Sequence, residues 1–452
     1  VVHATPPAEH LDGKLWQPSL VAARAALAAH LTKRTVRLAY SAPEDFLYSS
    51  KRAPMFASYA AGLDSDGNIR ALHIRLVFNM GAYPLFAQEL VDRATHAATG
   101  AYRCEHITVR TTALHSNLPP LNAFVGLGSS QAYFALESHA ARIAELAQVP
   151  PHIWKRRNIV VPGDKANSAV GIQRSTDMVR IIEETSRRAD FERKHAAYEL
   201  QKKRRSSFST LRNGSRGIGF AFASQGSGFL GRGEQRYPSK VRVRLEEDGT
   251  VHLGCPSPGV TPALALYWRK RAAAILSEHY ENVIVDPFDS SIAPDAGPTF
   301  LSRNLVVITR ALENACKAAL AKYKKKAPPI EASRSYRLPR SLRWDPNTFT
   351  GSPFIESSHG AAVVELEVDP LSLVTRVRAV WMTIDAGRIL NRDAALQATE
   401  RGIFQALGWA ATENVTYYRG VVRYSDYERF GPEARAQNPD LSVDFLQTDA
   451  ED

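Results

Sequence analysis

The chain is poor in cysteine and has no long apolar run, and each absence excludes a class of protein. Three cysteines, Cys104, Cys255 and Cys316, serve 452 residues and lie far apart. They cannot form a disulfide framework or a sequence-local cysteine zinc site, and such sparse usage fits a reducing compartment. A cytoplasmic location is therefore expected. Spanning a bilayer takes about 20 apolar residues. The best run, Val21 to Leu31, is shorter and carries Arg24 and His30. No charged-then-apolar leader opens the chain. Its start at Val1 reads as a processed or partial polypeptide. Also missing are a G-x-S-x-G elbow, an H-E-x-x-H helix and a G-K-[ST] phosphate loop, so the best-marked hydrolase, metalloprotease and nucleotide signatures are not here.

What is present reads as globular. Apolar residues make up 44% and charged residues 23%, which excludes global disorder. At about 150 residues per domain, the length leaves room for about two or three domains. Lysine and arginine exceed aspartate and glutamate by 57 to 46, a net charge of +11. The basic runs Lys155 to Arg157, Lys202 to Arg205 and Lys322 to Lys326 fall at helix ends and in linkers. Nucleic-acid binding predicts basic side chains along one element with aromatics between them. The expectation is solvated surface, with an acidic protein partner as the alternative and no nucleic acid.

Residues 18–31 read as an alanine-rich, buried helix, and 34–40 (RTVRLAY) as a strand by its alternation. Residues 57–63 and 69–78 flank Asp66-Gly67, a hairpin signal. An amphipathic helix over 131–148 ends at Pro150-Pro151. Residues 165–212 are charged and mostly helical. Strands are predicted at 217–224, 240–246 and 250–253, and helices at 263–277 and 304–323. The Pro-, Arg- and Ser-rich stretch 325–350 reads as a loop. A strand pair at 360–369 and 374–384 precedes a helix at 392–408. Strand pairs followed by helices give an α+β fold in two related lobes, mixed sheets with packed helices. The division by sequence is 1–165, a basic helical connection at 166–210, and 211–452.

Gly226-Ser-Gly228-Phe-Leu-Gly231 matches the dinucleotide fingerprint in letters, but Arg232 to Pro238 after it does not read as a helix. Without a helix N-terminus there is no dipole for a pyrophosphate. A glycine-rich loop beside a site is the better reading. The 13 histidines are dispersed and off metal-ligand spacing, so structural roles are expected. Gly81-Ala-Tyr83 with Asp92-Arg93 offers an arginine able to hold an anionic or carbonyl-bearing substrate, or else a surface ion pair with Asp92. Thr299 and Ser302-Arg303 lie where the turn Pro294 to Pro298 enters a helix, which suits an anion site or an N-cap equally.

Taken in order, these segments resemble one family, the molybdenum cofactor-binding subunit of xanthine dehydrogenases and aldehyde oxidases. Asp66 to Leu72, Asn79 to Tyr83, Thr99 to Tyr102, Ser116 to Pro119 and Asn122 to Gln131 are similar to its first half. So is the helix carrying Glu137 and ending near Arg157-Asn158. Asp286 to Arg303, Glu365 to Asp369, Ile384 to Gly387, Asn391, Gln397, Gln405 to Gly408 and Val443 to Leu446 are similar to its second. The resemblance implies a molybdenum–molybdopterin group, hydroxylation of a heteroaromatic or aldehyde carbon with water as oxygen source, and iron–sulfur and FAD partner subunits. A dimer with itself or with a second subunit of this type is also implied. By position, Arg93 and Leu127 correspond to substrate contacts. Gly126, Gly128, Gln131, Thr299, Ser302 and Gln397 correspond to cofactor contacts.

The sequence departs from the family pattern in places. The early glycine-rich loop reads Ala8 to Leu15, Val125 and Leu127 replace an arginine and a phenylalanine, and Pro258 to Thr261 lacks a glutamine. The family's G-x-G-E element falls after Val443 to Leu446, and the chain ends at Asp452, so the resemblance places no catalytic glutamate here. The alternative expectation is a non-catalytic paralogue or fragment that keeps the fold as a scaffold or subunit partner.

Overall fold

The computed structural model describes residues 3–4, 17–122, 124–161, 177–204, 215–254, 256–339, 342, 344–423 and 438–446. Helix α1 (Gln17–Thr32) and the short α2 (Ala42–Tyr48) precede the hairpin β1 (Met55–Leu63) and β2 (Ile69–Asn79). Helix α3 (Ala87–Ala97) leads to β3 (His106–Leu114), and then come α4 (Ser129–Leu146), α5 (Pro151–Asn158), α6 (Met178–Ala189) and α7 (Phe191–Arg204). Next are β4 (Ser215–Gly226), β5 (Lys240–Leu245), β6 (Val251–Gly254), α8 (Pro262–Leu276), β7 (Val283–Val285), α9 (Thr309–Tyr323) and β8 (Ile330–Ser335). The last described elements are β9 (Ser357–Val368), β10 (Thr375–Asp385), α10 (Arg392–Ala411) and β11 (Asp440–Phe445).

These elements form two compact units that interleave in sequence. One takes the described residues of Val1–Ser41, Ala123–Val125 and Gly226–Glu356; the other takes those of Ala42–Asn122, Gly126–Gln225 and Ser357–Asp452. The sequence division at 165 and 210 cuts across both. The structure is α+β, as the patterning predicts.

In the larger unit, β2 is central in a three-stranded sheet, antiparallel to β1 and parallel to β3. Its Leu72, Ile74, Leu76 and Phe78 are buried while Arg70, His73 and Arg75 face out. That period of two sets the register, because a one-residue slip would expose the apolar row. The β1–β2 turn is built by Asp64, whose Oδ1 accepts from the amides of Asp66 (3.0 Å) and Asn68 (2.9 Å). Gly67 supplies the left-handed φ of +78°. The amide of Asn68 also holds the Asp64 carboxyl below its ordinary range.

The second sheet of this unit has the order β11-β10-β9-β4. Helix α6 lays Met178, Ile181, Ile182, Thr185 and Ala189 against it, in a core with Phe220, Phe222, Ala361 and Val363. Arg188 reaches over it to Met382 O (3.0 Å) and Ser442 Oγ (2.7 Å). Residues 178–204, taken from sequence as part of a connection, are thus packed structure; 166–176 and 205–210 lie outside the described residues.

The smaller unit has the order β7-β6-β5-β8, with α8 and α9 on one face. Trp268 is buried there with its Nε1 donating to Thr309 Oγ1 at 2.7 Å. This bond satisfies the one polar atom of a large apolar ring.

Three expectations fail for physical reasons. The stretch 34–40 alternates but lies outside any sheet and is mostly exposed; alternation without a neighbouring strand makes no strand. Helix α1 forms where predicted but faces solvent, with Leu27 and Leu31 exposed. The segment read as a loop over 325–350 contains β8, which pairs antiparallel with β5 and buries Ile330 and Ala332. Two details also differ. Pro151 begins α5 instead of only ending α4. The helix predicted at 304–323 starts with a wider π-turn over Asn304–Ile308 before α9.

Candidate functional site

The two loops singled out by sequence fall in different units. In the larger unit, Gly126, Leu127 and Gly128 all take positive φ, at +79°, +41° and +85°. Three left-handed residues in a row turn the chain into α4, whose first residue is Ser129. A Cβ on Gly128 would lie 2.6 Å from Leu90 O and 3.2 Å from the Ala94 Cβ. The glycine is therefore required by the approach of α3 to the loop. Leu127 is buried. Gln131 is buried one turn into α4; its Nε2 donates to Ala53 O at 3.2 Å and its Oε1 accepts from Arg52 at 3.5 Å.

Arg52 also lies over the Trp409 ring, 4.7 Å from its centroid. Burial lowers the Arg52 pKa to about 10, while Glu413 nearby acts to raise it. Arg93, on α3, is 1% exposed, and its Nε donates to Glu89 Oε1 at 2.7 Å. Asp92 accepts instead from Gln88 at 2.8 Å. Arg93 is thus a buried cation paired with Glu89 one turn earlier on the same helix. Gln397 is exposed on α10, and among the described residues no hydrogen bond joins it to the Gly126–Gly128 loop.

In the smaller unit, Thr299 Oγ1 and Ser257 Oγ are 2.6 Å apart, and Asn304 Nδ2 donates to Thr299 Oγ1 at 3.3 Å. A Cβ on Gly259 would meet Thr299 Oγ1 at 2.4 Å, so the 257–261 loop packs directly on the 297–304 loop. Leu301 and Ser302 have positive φ, and Ser302 is exposed. Beneath them lies a buried ion pair. Arg303 Nε donates to Glu234 Oε2 at 2.8 Å, and its other nitrogens donate to the carbonyls of Ala296, Pro298 (3.3 Å) and Pro238 (2.8 Å). Glu234 Oε1 accepts the Phe229 amide at 2.9 Å. The Gly226–Gly231 loop spends its amides internally as well. Ser227 N, Gly228 N and Gly231 N donate to the carbonyls of Glu356, Leu301 and Pro353 at 2.9, 2.9 and 2.6 Å. It is followed by a 3₁₀ turn over Gly231–Arg236. No pyrophosphate cradle exists there.

Sequence reasoning missed two groups of residues. Glu137 Oε2 accepts from Lys155 Nζ (2.6 Å) and the Phe222 amide (2.8 Å), and its Oε1 accepts from Tyr102 OH (2.6 Å). This network ties α4, α5 and β4 together. Burial, then the Glu137 charge, raises Tyr102 well above the ordinary phenol range. A glutamate on the apolar face of α4 was the available signal. The Glu234–Arg303 pair had none, since its members are distant in sequence.

The donor set bears on what these loops can hold. The N-terminus of α4 has Gly128 as its N-cap, no side-chain cap and no acidic residue in its first turn. The Ser130 and Gln131 amides there have no helical acceptor, a backbone arrangement that fits a phosphate-bearing group. The side chains of Gln131, Thr299 and Arg93 are engaged within the protein. The fit is thus one of backbone amides.

The fold is α+β, and the chain carries the sequence pattern of a cofactor-binding class. A molybdopterin cofactor-binding domain model matches residues 13–159, and a second model of that description matches 192–329 and 319–431. The chain is 24% identical over 429 residues to mouse xanthine dehydrogenase/oxidase, covering 90% of this chain and 31% of that protein. Against rat aldehyde oxidase 2 the identity is 25% over 434 residues, with coverages of 91% and 31%. Among solved structures, aldehyde oxidoreductase from Desulfovibrio gigas matches with TM-score 0.78 and 21% identity, covering 96% of this chain and 48% of that one. Quinoline 2-oxidoreductase from Pseudomonas putida 86 matches with TM-score 0.74 and 19% identity, covering 94% and 59%. The chain therefore belongs to the molybdopterin cofactor-binding domains of the xanthine dehydrogenase and aldehyde oxidase family, as a divergent member. It spans about a third of the curated relatives' length and about half that of the structural ones.

Proposed function

We propose that this chain is the cofactor-binding part of an oxidoreductase that hydroxylates a heteroaromatic or aldehyde carbon. The observation that carries the reading is the ordered match of both cofactor-binding domain models, which together reach from residue 13 to residue 431. When bound, the molybdenum–pterin group supplies two-electron oxidation of a C–H carbon with water as the oxygen source. The protein's share is to bind and orient. The Ser130 and Gln131 amides would donate to the cofactor's anionic group, whose charge the helix N-terminus favours. Gln397, exposed on α10 of the same unit, is a further cofactor contact by resemblance, as are Thr299 and Ser302 of the smaller unit. Leu127 and Arg93 shape the substrate side, with Glu89 fixing the guanidinium.

Partner chains carrying iron–sulfur and FAD groups would take up the electrons, in a cytoplasmic assembly. Among the described residues no helix is long and apolar enough to cross a membrane. The test is oxidation of aldehyde and heteroaromatic substrates by the purified assembly with an artificial electron acceptor. Arg93→Ala is expected to lower turnover at least about a hundredfold by misplacing substrate. Unchanged turnover would make Arg93 structural only.

A second reading is favoured by one observation. The side chains of Arg93, Gln131 and Thr299 are already committed inside the protein. On that reading the chain is a scaffold or subunit partner without turnover of its own. An intact assembly that oxidises none of these substrates would support it.

A further inference from the structure

Ser224, His359 and Asp385 come from three successive strands of one sheet, β4, β9 and β10. Ser224 lies near the end of β4, His359 near the start of β9, and Asp385 is the last residue of β10. His359 and Asp385 are direct partners in the β9–β10 register. All three therefore meet at one end of the sheet. Ser224 Oγ is 2.7 Å from His359 Nδ1, and Tyr133 of α4 lies beside Ser224. His359 and Asp385 are buried, whereas Ser224 and Tyr133 keep part of their surface open.

We infer that this cluster is a second reactive site, in which Ser224 is a nucleophile, His359 its base and Tyr133 a donor to the developing oxyanion. The chemical class it takes is a small activated acyl ester. Burial lowers the His359 pKa to about 4, so the ring is neutral and has an open lone pair near neutral pH. Burial raises Tyr133 to about 12, which keeps its proton available for donation. The negative charge of Asp385, its partner in the strand register, acts to raise the His359 pKa and so favours the imidazolium as it forms.

The step balances without a further reactant. His359 Nδ1 takes the Ser224 hydroxyl proton as Oγ bonds to the acyl carbon, and the ester C–O bond breaks. The leaving alkoxide then takes the proton from His359. Water attacks the acyl-serine by the same route and releases the carboxylic acid. Nothing in this chemistry draws on the cofactor loops.

The experiment treats the purified full chain with a fluorophosphonate probe and maps the adduct by peptide mass spectrometry. One adduct is expected, on Ser224, and it should vanish in urea because the arrangement exists only in the fold. Ser224→Ala should carry none, His359→Gln should slow labelling at least about a hundredfold, and Tyr133→Phe about tenfold or more. Thermal melting of each variant separates loss of reactivity from loss of folding. An unlabelled Ser224 in the native wild-type chain would overturn the assignment without any variant. So would equal labelling rates in wild type and folded His359→Gln.

Discussion

The two candidate cofactor loops are held in place by opposite means. The Gly126–Gly128 loop is held by shape: three left-handed residues and a glycine whose missing Cβ lets Leu90 O come close. The Thr299–Asn304 loop is held by polar bonds, with hydroxyls and an amide above and the Glu234–Arg303 pair below. A loop held by shape fails when volume is added. A loop held by polar bonds fails when a partner is removed.

This contrast orders the expected losses of stability. Arg303→Met should be the most damaging. It leaves Glu234 charged and buried and strands the carbonyls of Ala296 and Pro238, at a cost of about 3–5 kcal/mol. Denaturant unfolding of the full chain measures it, and a loss below about 1 kcal/mol would show that the polar account of this loop is wrong. Gly128→Ala should follow, at about 1–3 kcal/mol, since the new methyl meets Leu90 O at a φ of +85°. An unchanged thermal midpoint would mean that the loop yields freely. Gln131→Ala should be mildest, at about 1 kcal/mol, through loss of the bond to Ala53 O. If it proved costlier than Gly128→Ala, the first loop would also be held by polar bonds.

Much of the fold was legible because it follows local rules. Asp64 to Asn68 encodes its hairpin in five residues, and the inward row of β9, Ala361, Val363 and Glu365, follows a period of two. Strand β8 was hidden because Ile330-Glu-Ala-Ser is a short alternation flanked by prolines. Residues 34–40 misled because alternation states a preference, and only a neighbouring strand fulfils it.

The candidate site was legible to the extent that glycine marks backbone shape. Gly126 and Gly128 stand where the chain turns into α4, and Thr299 and Ser302 share one loop with Asn304. Gln397 lies exposed on α10, where no glycine-marked turn announces a role. The buried pairs escaped detection because pairing is a property of the fold: Arg303 meets Glu234 across 69 positions of sequence. Nothing in the spacing of the two residues announces that meeting. The buried cations Arg93, Lys155 and Arg303 are each set against a glutamate and so add nothing to the net +11.

The most direct test of the central claim is the molybdenum and pterin content of the assembly, purified from a host that loads a relative normally. The account predicts one molybdenum and one pterin for each copy of this chain. A fully assembled protein free of both, beside a loaded relative from the same cells, would contradict it.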